Sequence, residues 1–264
     1  MTTDSASGPP PIPPALPSIP PPMPPSALLA EPRVVPAGAP MQWITTGWEM
    51  FKAFPGPWIA IVIVYVIISA VIALLPIVGA VNVVVGPILA AGIVAACEAQ
   101  RGGTAPRLEH LFAGFQSATA KLALVGVLYL VGLLAVGVVV GGGGVAAMLP
   151  FIIAASAGEQ FSVSPAMIGM IVLFVLIGLV LVVPLALVMM WAPPLIFVHG
   201  VGSVEALKRS FFACRRNWLA LLVMLVLVTV LGCIAMIPFG LGLLVLAPVM
   251  AIAIWAGYRE VFVA

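Results

Sequence analysis

Charge is scarce in this chain. Its 264 residues include 10 Lys or Arg and 8 Asp or Glu, so charged residues make up only 7%. A soluble domain usually carries about 25%. With so few charges, a water-soluble globule of this length could not cover its surface, so a large apolar surface must face lipid. The formal net charge of +2 is too small to point to nucleic acid as a partner. Cysteine is also sparse. Cys97, Cys214 and Cys233 show no zinc or redox spacing, and each sits in or beside an apolar stretch, as small core residues do. The two histidines, His110 and His199, have only scattered Glu and Cys for company, which is too little for a metal site. GxSxG, HExxH, P-loop and paired-carboxylate patterns are missing. The Gly141–Gly144 run lacks the Lys-Ser/Thr of a phosphate loop. These absences predict a protein without enzymatic activity and without a cofactor.

What the chain has in quantity is apolar sequence, at 64% with a mean hydropathy of +1.30. Proline is concentrated at the start, where fourteen of the first forty residues are Pro. Residues 1–40 lack the basic-then-apolar layout of a signal peptide. Proline has no amide donor and a fixed φ, so this segment is expected to be a disordered, polyproline II-like cytoplasmic tail. It reads as a spacer or as a site for protein partners.

Six apolar runs follow. The first, Trp58–Leu75, holds twelve Ile, Val or Leu, which favour insertion by about 4–7 kcal/mol. The others are Ile77–Cys97, Leu122–Val140, a stretch within Met167–Val198, Leu219–Ile237 and Phe239–Tyr258. Each supplies the roughly 20 residues that a 30 Å hydrocarbon core requires. The fourth is too long for one straight span, and Pro184 and Pro193–Pro194 are expected to kink or end it. Residues 145–156 are too short to span, and after the glycine run they read as a re-entrant or interfacial piece.

The ten basic residues set the orientation. Arg33 and Lys52 precede the first run. Arg101, Arg107 and Lys121 separate the second from the third. Lys208, Arg209, Arg215 and Arg216 separate the fourth from the fifth, and Arg259 ends the sixth. The remaining connections carry no Lys or Arg. The positive-inside rule therefore predicts that both termini lie in the cytoplasm. Five or seven spans would break this alternation.

A repeat runs beneath the alternation. FKAFPGPWIA (51–60) and FFACRRNWLA (211–220) share Phe, Ala, Trp and Ala at matching offsets, and LFAGF (111–115) is a looser copy. Each copy leads to a mid-run proline: Pro87, Pro184 or Pro248. The Phe-to-Pro separations are 36, 72 and 37 residues, so the middle unit carries an insertion of about 35. The unit reads as an amphipathic interfacial helix followed by a two-helix hairpin. Three parallel units make an all-α polytopic bundle over residues 41–264. The expected apolar faces of the surface helices are Ile44, Trp48, Phe51 and Phe54; Leu108, Leu111, Phe112 and Phe115; and Val204, Leu207, Phe211 and Cys214. Such helices lie along the inner membrane surface.

Few residues in the membrane domain invite chemistry. Lys208, Arg209, Arg215 and Arg216 are candidates for anionic-lipid contacts, and equally serve topology and anchoring. Asn82, the one amide near a helix interior, either bonds across helices or lines a pore. The helix cores carry no ionisable group, which argues against a carboxylate-driven proton or sodium transporter. The three prolines mark either a packing centre or a shared cavity.

GWEMFKAFPGPW (47–58), EHLFAGF (109–115), WAPPLIF (191–197) and EALKRSFFACRRNWLALL (205–222) resemble a family of proteobacterial six-helix inner-membrane proteins without an assigned activity. A looser likeness extends to the membrane domain of some glycerophosphodiester phosphodiesterases, whose soluble catalytic domain has no counterpart here. The resemblance spans about residues 41–262, implies a bacterial plasma-membrane location, and carries no site residues. Together these features lead to two expectations of function. The first is a non-enzymatic membrane organiser or scaffold, with membrane lipids and protein partners held by the tail or the cytoplasmic helices. The second is a passive transporter or channel for small solutes.

Overall fold

A computed structural model describes residues 27–74, 79–157 and 164–264. Most of the proline-rich tail lies outside the described residues. Its last part, from residue 27, is held in place and is described below.

The described residues form helices and no strand. In the first unit, the surface helix α1 (Ala39–Ala53) leads into α2 (Pro55–Ala73) and α3 (Gly79–Arg101). Pro40 and Pro55 occupy first-turn positions, where the missing amide donor does no harm. In the second unit a 3-10 turn (Leu108–Phe112) and the short α4 (Ala113–Ser117) take the surface position. Then come α5 (Thr119–Gly137), a π-helical turn (Val138–Gly142), α6 (Gly143–Ser156), α7 (Pro165–Met190) and α8 (Ala192–His199). The third unit is α9 (Ser203–Arg216), α10 (Trp218–Met236) and α11 (Leu243–Phe262). Six apolar helical stretches are long enough to cross a membrane: Pro55–Ala73, Ala80–Arg101, Thr119–Ala154, Pro165–His199, Trp218–Met236 and Leu243–Phe262.

Residues 145–156 are not a separate re-entrant or interfacial piece. They continue α5 through the π turn, giving a 36-residue helical leg. The return leg, α7, passes through Pro184 without ending. Its break comes at Trp191, where the backbone leaves helical geometry just before Pro193 and Pro194.

The units close into a ring. The 3-10 turn and α4 pack on α3, and α9 packs on α7 and α8, so each surface helix sits on the second hairpin helix of the unit before it. The first surface helix, α1, packs on α11, the second hairpin helix of the last unit. In the middle, α3 touches both α8 and α11. The core there is built from Leu89, Ala96, Cys97, Trp191, Leu195, Ile252 and Tyr258, all buried.

Small side chains make these dockings possible. A Cβ on Gly47 would lie 2.4 Å from the Val249 carbonyl oxygen, and one on Gly114 would lie 2.2 Å from that of Ile88. In the third unit the Ser210 hydroxyl donates to the Leu187 carbonyl at 2.9 Å. Each contact falls within one turn after the repeated proline: Pro248, Pro87 or Pro184. Two of the three prolines thus sit beside a helix docking point of close backbone approach, and the third precedes a hydroxyl-bridged one.

The surface helices turn part of their bulky apolar stripe away from the bundle. On α9 the buried face is Ser203, Ala206, Ser210, Ala213 and Cys214. Val204 and Phe212 are more than half exposed. The expected stripe of Val204, Leu207, Phe211 and Cys214 is therefore only partly the packing face. Similarly, Trp48, Leu108, Phe112 and Phe115 are exposed, while Gly47, Phe51, Leu111 and Gly114 are buried. Small residues give close backbone contact with the bundle, Trp43, Phe51 and Leu111 pack into it, and the exposed bulky apolar residues point away from it.

Candidate functional site

The cations of the described residues gather at one end of the bundle with their polar partners. Lys208, Arg209, Arg215 and Arg216 all lie on α9 and form two adjacent columns, 208 with 215 and 209 with 216, the members of each about two turns apart. Arg209 Nε donates to Glu205 at 2.8 Å, and Arg216 donates to Glu31 at 3.0 Å. Lys208 and Arg215 are exposed and have no ion-pair partner among the described residues. They share the open face of α9 with Val204 and Phe212, so cation and bulky apolar group alternate along it.

The buried face of α9 enters the backbone of the neighbouring leg. The Ser210 hydroxyl accepts the Trp191 amide hydrogen at 3.1 Å and donates to Leu187 O. It therefore stands where the Trp191-to-Leu187 helical bond would be. This insertion and the following Pro193–Pro194 pair together account for the break between α7 and α8. Cys214 Sγ approaches the same carbonyl at 3.4 Å. Burial pushes the Cys214 thiol up to about 12, with its hydrogen bond to Ser210 working the other way.

Asn217, buried at the start of α10, fastens the chain that follows the tail. Its Oδ1 accepts from Val35 N–H at 2.8 Å, and its Nδ2 donates to Arg33 O at 2.9 Å and to Ala213 O at 3.0 Å. Leu29 N–H donates to Phe262 O, Arg33 N–H to Val261 O and Ala264 N–H to Ala27 O. Residues 27–35 thus form a strap along the C-terminal end of α11, with Glu31 pinned to Arg216.

Indole anchors complete this face. Trp58 Nε1 donates to Gln100 Oε1 at 2.8 Å, and Gln100 Nε2 donates to Met50 O at 2.8 Å. Trp43 Nε1 donates to Glu260. Trp255 Nε1 donates to Glu98 Oε1 at 2.9 Å. Glu98 also accepts from Arg101 Nε at 3.0 Å and from Arg259 at 3.4 Å, and the Arg259 guanidinium lies 5.5 Å from the Trp255 ring centroid. His199 and Tyr258 are neighbours there, with ring centroids 6.1 Å apart. His110 Nδ1 accepts from Arg107 N–H in the second unit. Lys121 Nζ reaches the Gly200 carbonyl at 2.6 Å, linking the start of α5 to the end of α8. No group of three His, Cys, Asp or Glu that could hold a metal occurs among the described residues.

Sequence reasoning missed the Glu98 cluster. Its charges lie at the ends of two separate runs, Glu98 and Arg101 on α3 and Arg259 on α11, and only the ring closure brings α11 to α3. The available signal was the recurrence of Trp near the end of the second hairpin helix, at Trp191 and Trp255. Asn82 lies on the wall of a cavity of about 360 Å³ between α2, α3, α5, α7, α8 and α11. Pro87 also lines this cavity, whereas Pro184 and Pro248 do not.

Six apolar helices whose large side chains are exposed along their length fit one surrounding only. The chain is a multi-pass membrane protein. It is similar to a probable inner membrane protein of Burkholderia thailandensis, 29% identical over 183 residues. The match covers 66% of this chain and 66% of that protein, just under two thirds of the relative's length. No family model and no solved structure matches the chain. None of these findings extends to the membrane domains of glycerophosphodiester phosphodiesterases.

Proposed function

We propose that the protein is a non-enzymatic organiser of the inner membrane, holding anionic lipid headgroups and protein partners on a cytoplasmic face formed by its three surface helices. One observation carries this reading. The α9 helix docks by its small residues and leaves Val204, Lys208, Phe212 and Arg215 outward, the pattern suited to the boundary between headgroups and acyl chains. The distribution of the ten basic residues supports a cytoplasmic location for this face and for both termini. A periplasm-active reporter fused after Ala264 is expected to be silent, and an active one would overturn that orientation.

The two unpaired cations should contribute about 1 kcal/mol each toward an anionic headgroup. The full chain, in nanodiscs that mix phosphatidylglycerol with phosphatidylethanolamine, is therefore expected to retain phosphatidylglycerol through detergent extraction. Lys208→Gln with Arg215→Gln should lower that retention roughly 30-fold. Equal retention of both lipids by the parent chain would refute the headgroup reading. A second reading, passive passage of small solutes, draws on the cavity beside Asn82. Rapid solute flux through liposomes containing the purified protein would favour it over the organiser.

A further inference from the structure

The cavity has more to say than its volume. Its wall follows one face of α3 from Asn82 through Gly86 and Ala90 to Val94, a rise of about 18 Å. The cavity, of about 360 Å³, is elongated along that face. The slot lies within the range of known ligand sites and is mostly apolar, as such sites are.

Three polar side chains interrupt the apolar wall: Tyr65 from α2, Tyr129 from α5 and Asn82 from α3. None has a protein hydrogen-bond partner among the described residues. Tyr65 and Tyr129 each lie about three turns into their helices, near mid-membrane depth. An unpartnered hydroxyl or amide in hydrocarbon is costly, and here three line one space. Among the described residues no Asp, Glu, Lys, Arg or His lines the slot, so an uncharged group complements it. At the cation-bearing end the Trp255 ring forms the wall. It is fixed by its hydrogen bond to Glu98 and by Arg259.

We propose that this slot binds a single chain of a neutral lipid, with ester or hydroxyl oxygens of that lipid hydrogen-bonded at Tyr65, Tyr129 and Asn82. It is separate from the headgroup contacts of α9, because none of the α9 cations lines it. The slot belongs to the interior of the ring, where the first two units and the last one meet.

The test uses the full chain, delipidated in detergent, with 1-oleoylglycerol as the probe. Hexadecane, which has the chain without the oxygens, and oleate, which has the chain with a charge, serve as controls. The expected result is a saturable rise in Tm with 1-oleoylglycerol and little or none with either control. Ala90→Phe fills the slot and should abolish the rise. Tyr65→Phe with Tyr129→Phe keeps the volume and removes the hydroxyls, and should weaken binding at least tenfold. This volume-conserving variant decides the matter if Ala90→Phe does not fold. No saturable rise, an equal rise with hexadecane or oleate, or unchanged affinity in the double Phe variant would each overturn the proposal. Lys208→Gln with Arg215→Gln is expected to leave 1-oleoylglycerol binding intact, so this site and the headgroup reading fail independently.

Discussion

Asn217→Ala should loosen the strap that joins the proline-rich tail to the bundle. The native amide makes two hydrogen bonds to the strap, to Val35 N–H and Arg33 O, across more than 180 residues of sequence. Asn217 and Val35 are both buried. Truncation leaves the Val35 amide hydrogen without a partner in a dry site. An unsatisfied buried donor costs about 1–3 kcal/mol, and the second lost bond adds about 1 kcal/mol. Bonds at Leu29, Arg33 and Ala264 remain, so the strap is weakened rather than abolished. A net loss of about 2–3 kcal/mol raises the open population roughly 30- to 150-fold.

Arg33 supplies the readout, because trypsin cleaves after it only when the strap leaves α11. Cleavage tracks the open population when opening and closing are fast relative to cutting. The rate of cutting at Arg33 in nanodisc-embedded protein should therefore rise by that factor in Asn217→Ala. Arg216→Ala removes only the exposed ion pair to Glu31, worth about 0–1 kcal/mol, and should raise the rate less than about fivefold. A rate for Asn217→Ala within twofold of the parent, or equal effects of the two variants, would refute the assignment of Asn217 as the clasp.

Other positions give sharper structural tests. Gly114→Ala puts a methyl 2.2 Å from the Ile88 carbonyl oxygen, against backbone that cannot rotate away. Overpacking of this kind costs about 1–3 kcal/mol, so a lower Tm in detergent is expected, and an unchanged Tm would refute the close docking of α4 on α3. Ser210→Ala removes the hydroxyl that separates Trp191 from Leu187; either the Trp191 donor is stranded at about 1–3 kcal/mol, or α7 and α8 straighten. Both outcomes should shift Trp191 fluorescence, and an unchanged spectrum with an unchanged Tm would refute the wedge. The Cys214 thiol is raised in the folded state, so its stabilising effect is complete below the unfolded value near 9 and is lost as pH rises toward about 12. Alkylation of folded protein at Cys214 should stay slow at pH 9, and reaction there as fast as in unfolded chain would contradict its burial.

Span number and the three-unit repeat were legible because both rest on strong, local signals: runs of Ile, Val and Leu, and prolines at matching distances. The facing of the surface helices was legible only in part. In water a helix buries its bulky apolar stripe. In a membrane the surroundings are also apolar, so close packing of small residues decides which face goes inward. That is why Gly47, Gly114 and Ser210 face the bundle, while Trp48, Phe115 and Phe212 do not. The four α9 cations were legible as a group. Their division into a paired column, Arg209 and Arg216, and an open column, Lys208 and Arg215, depends on Glu31, which lies far away in sequence and arrives only with the strap. The Glu98 cluster and the slot beside Asn82 depend on ring closure, and no local pattern encodes either.

The middle hairpin shows how the membrane overrides local propensity. Four successive glycines cost a helix about 3–4 kcal/mol relative to alanine, which in water favours a break. In hydrocarbon a break strands several backbone donors and acceptors, each costing several kcal/mol. The helical solution wins, and the residual strain is taken up as the π turn at Val138–Gly142. The consequence is a leg of 36 residues, about 54 Å long, against about 29–33 Å for the spans of 19–22 residues. Even a 40° tilt leaves about 41 Å to be covered, beyond the roughly 30 Å of an average core. The apolar surplus therefore favours thick bilayers. In phosphatidylcholine vesicles of increasing acyl length, Tm of the parent chain should keep rising past the length at which a chain lacking 138–154 and 165–181 reaches its maximum. The shortened legs keep α9 docking near Trp191, so the variant should retain Trp191 fluorescence. If both proteins peak at the same acyl length, the long legs do not span upright in the bilayer and the length argument is wrong.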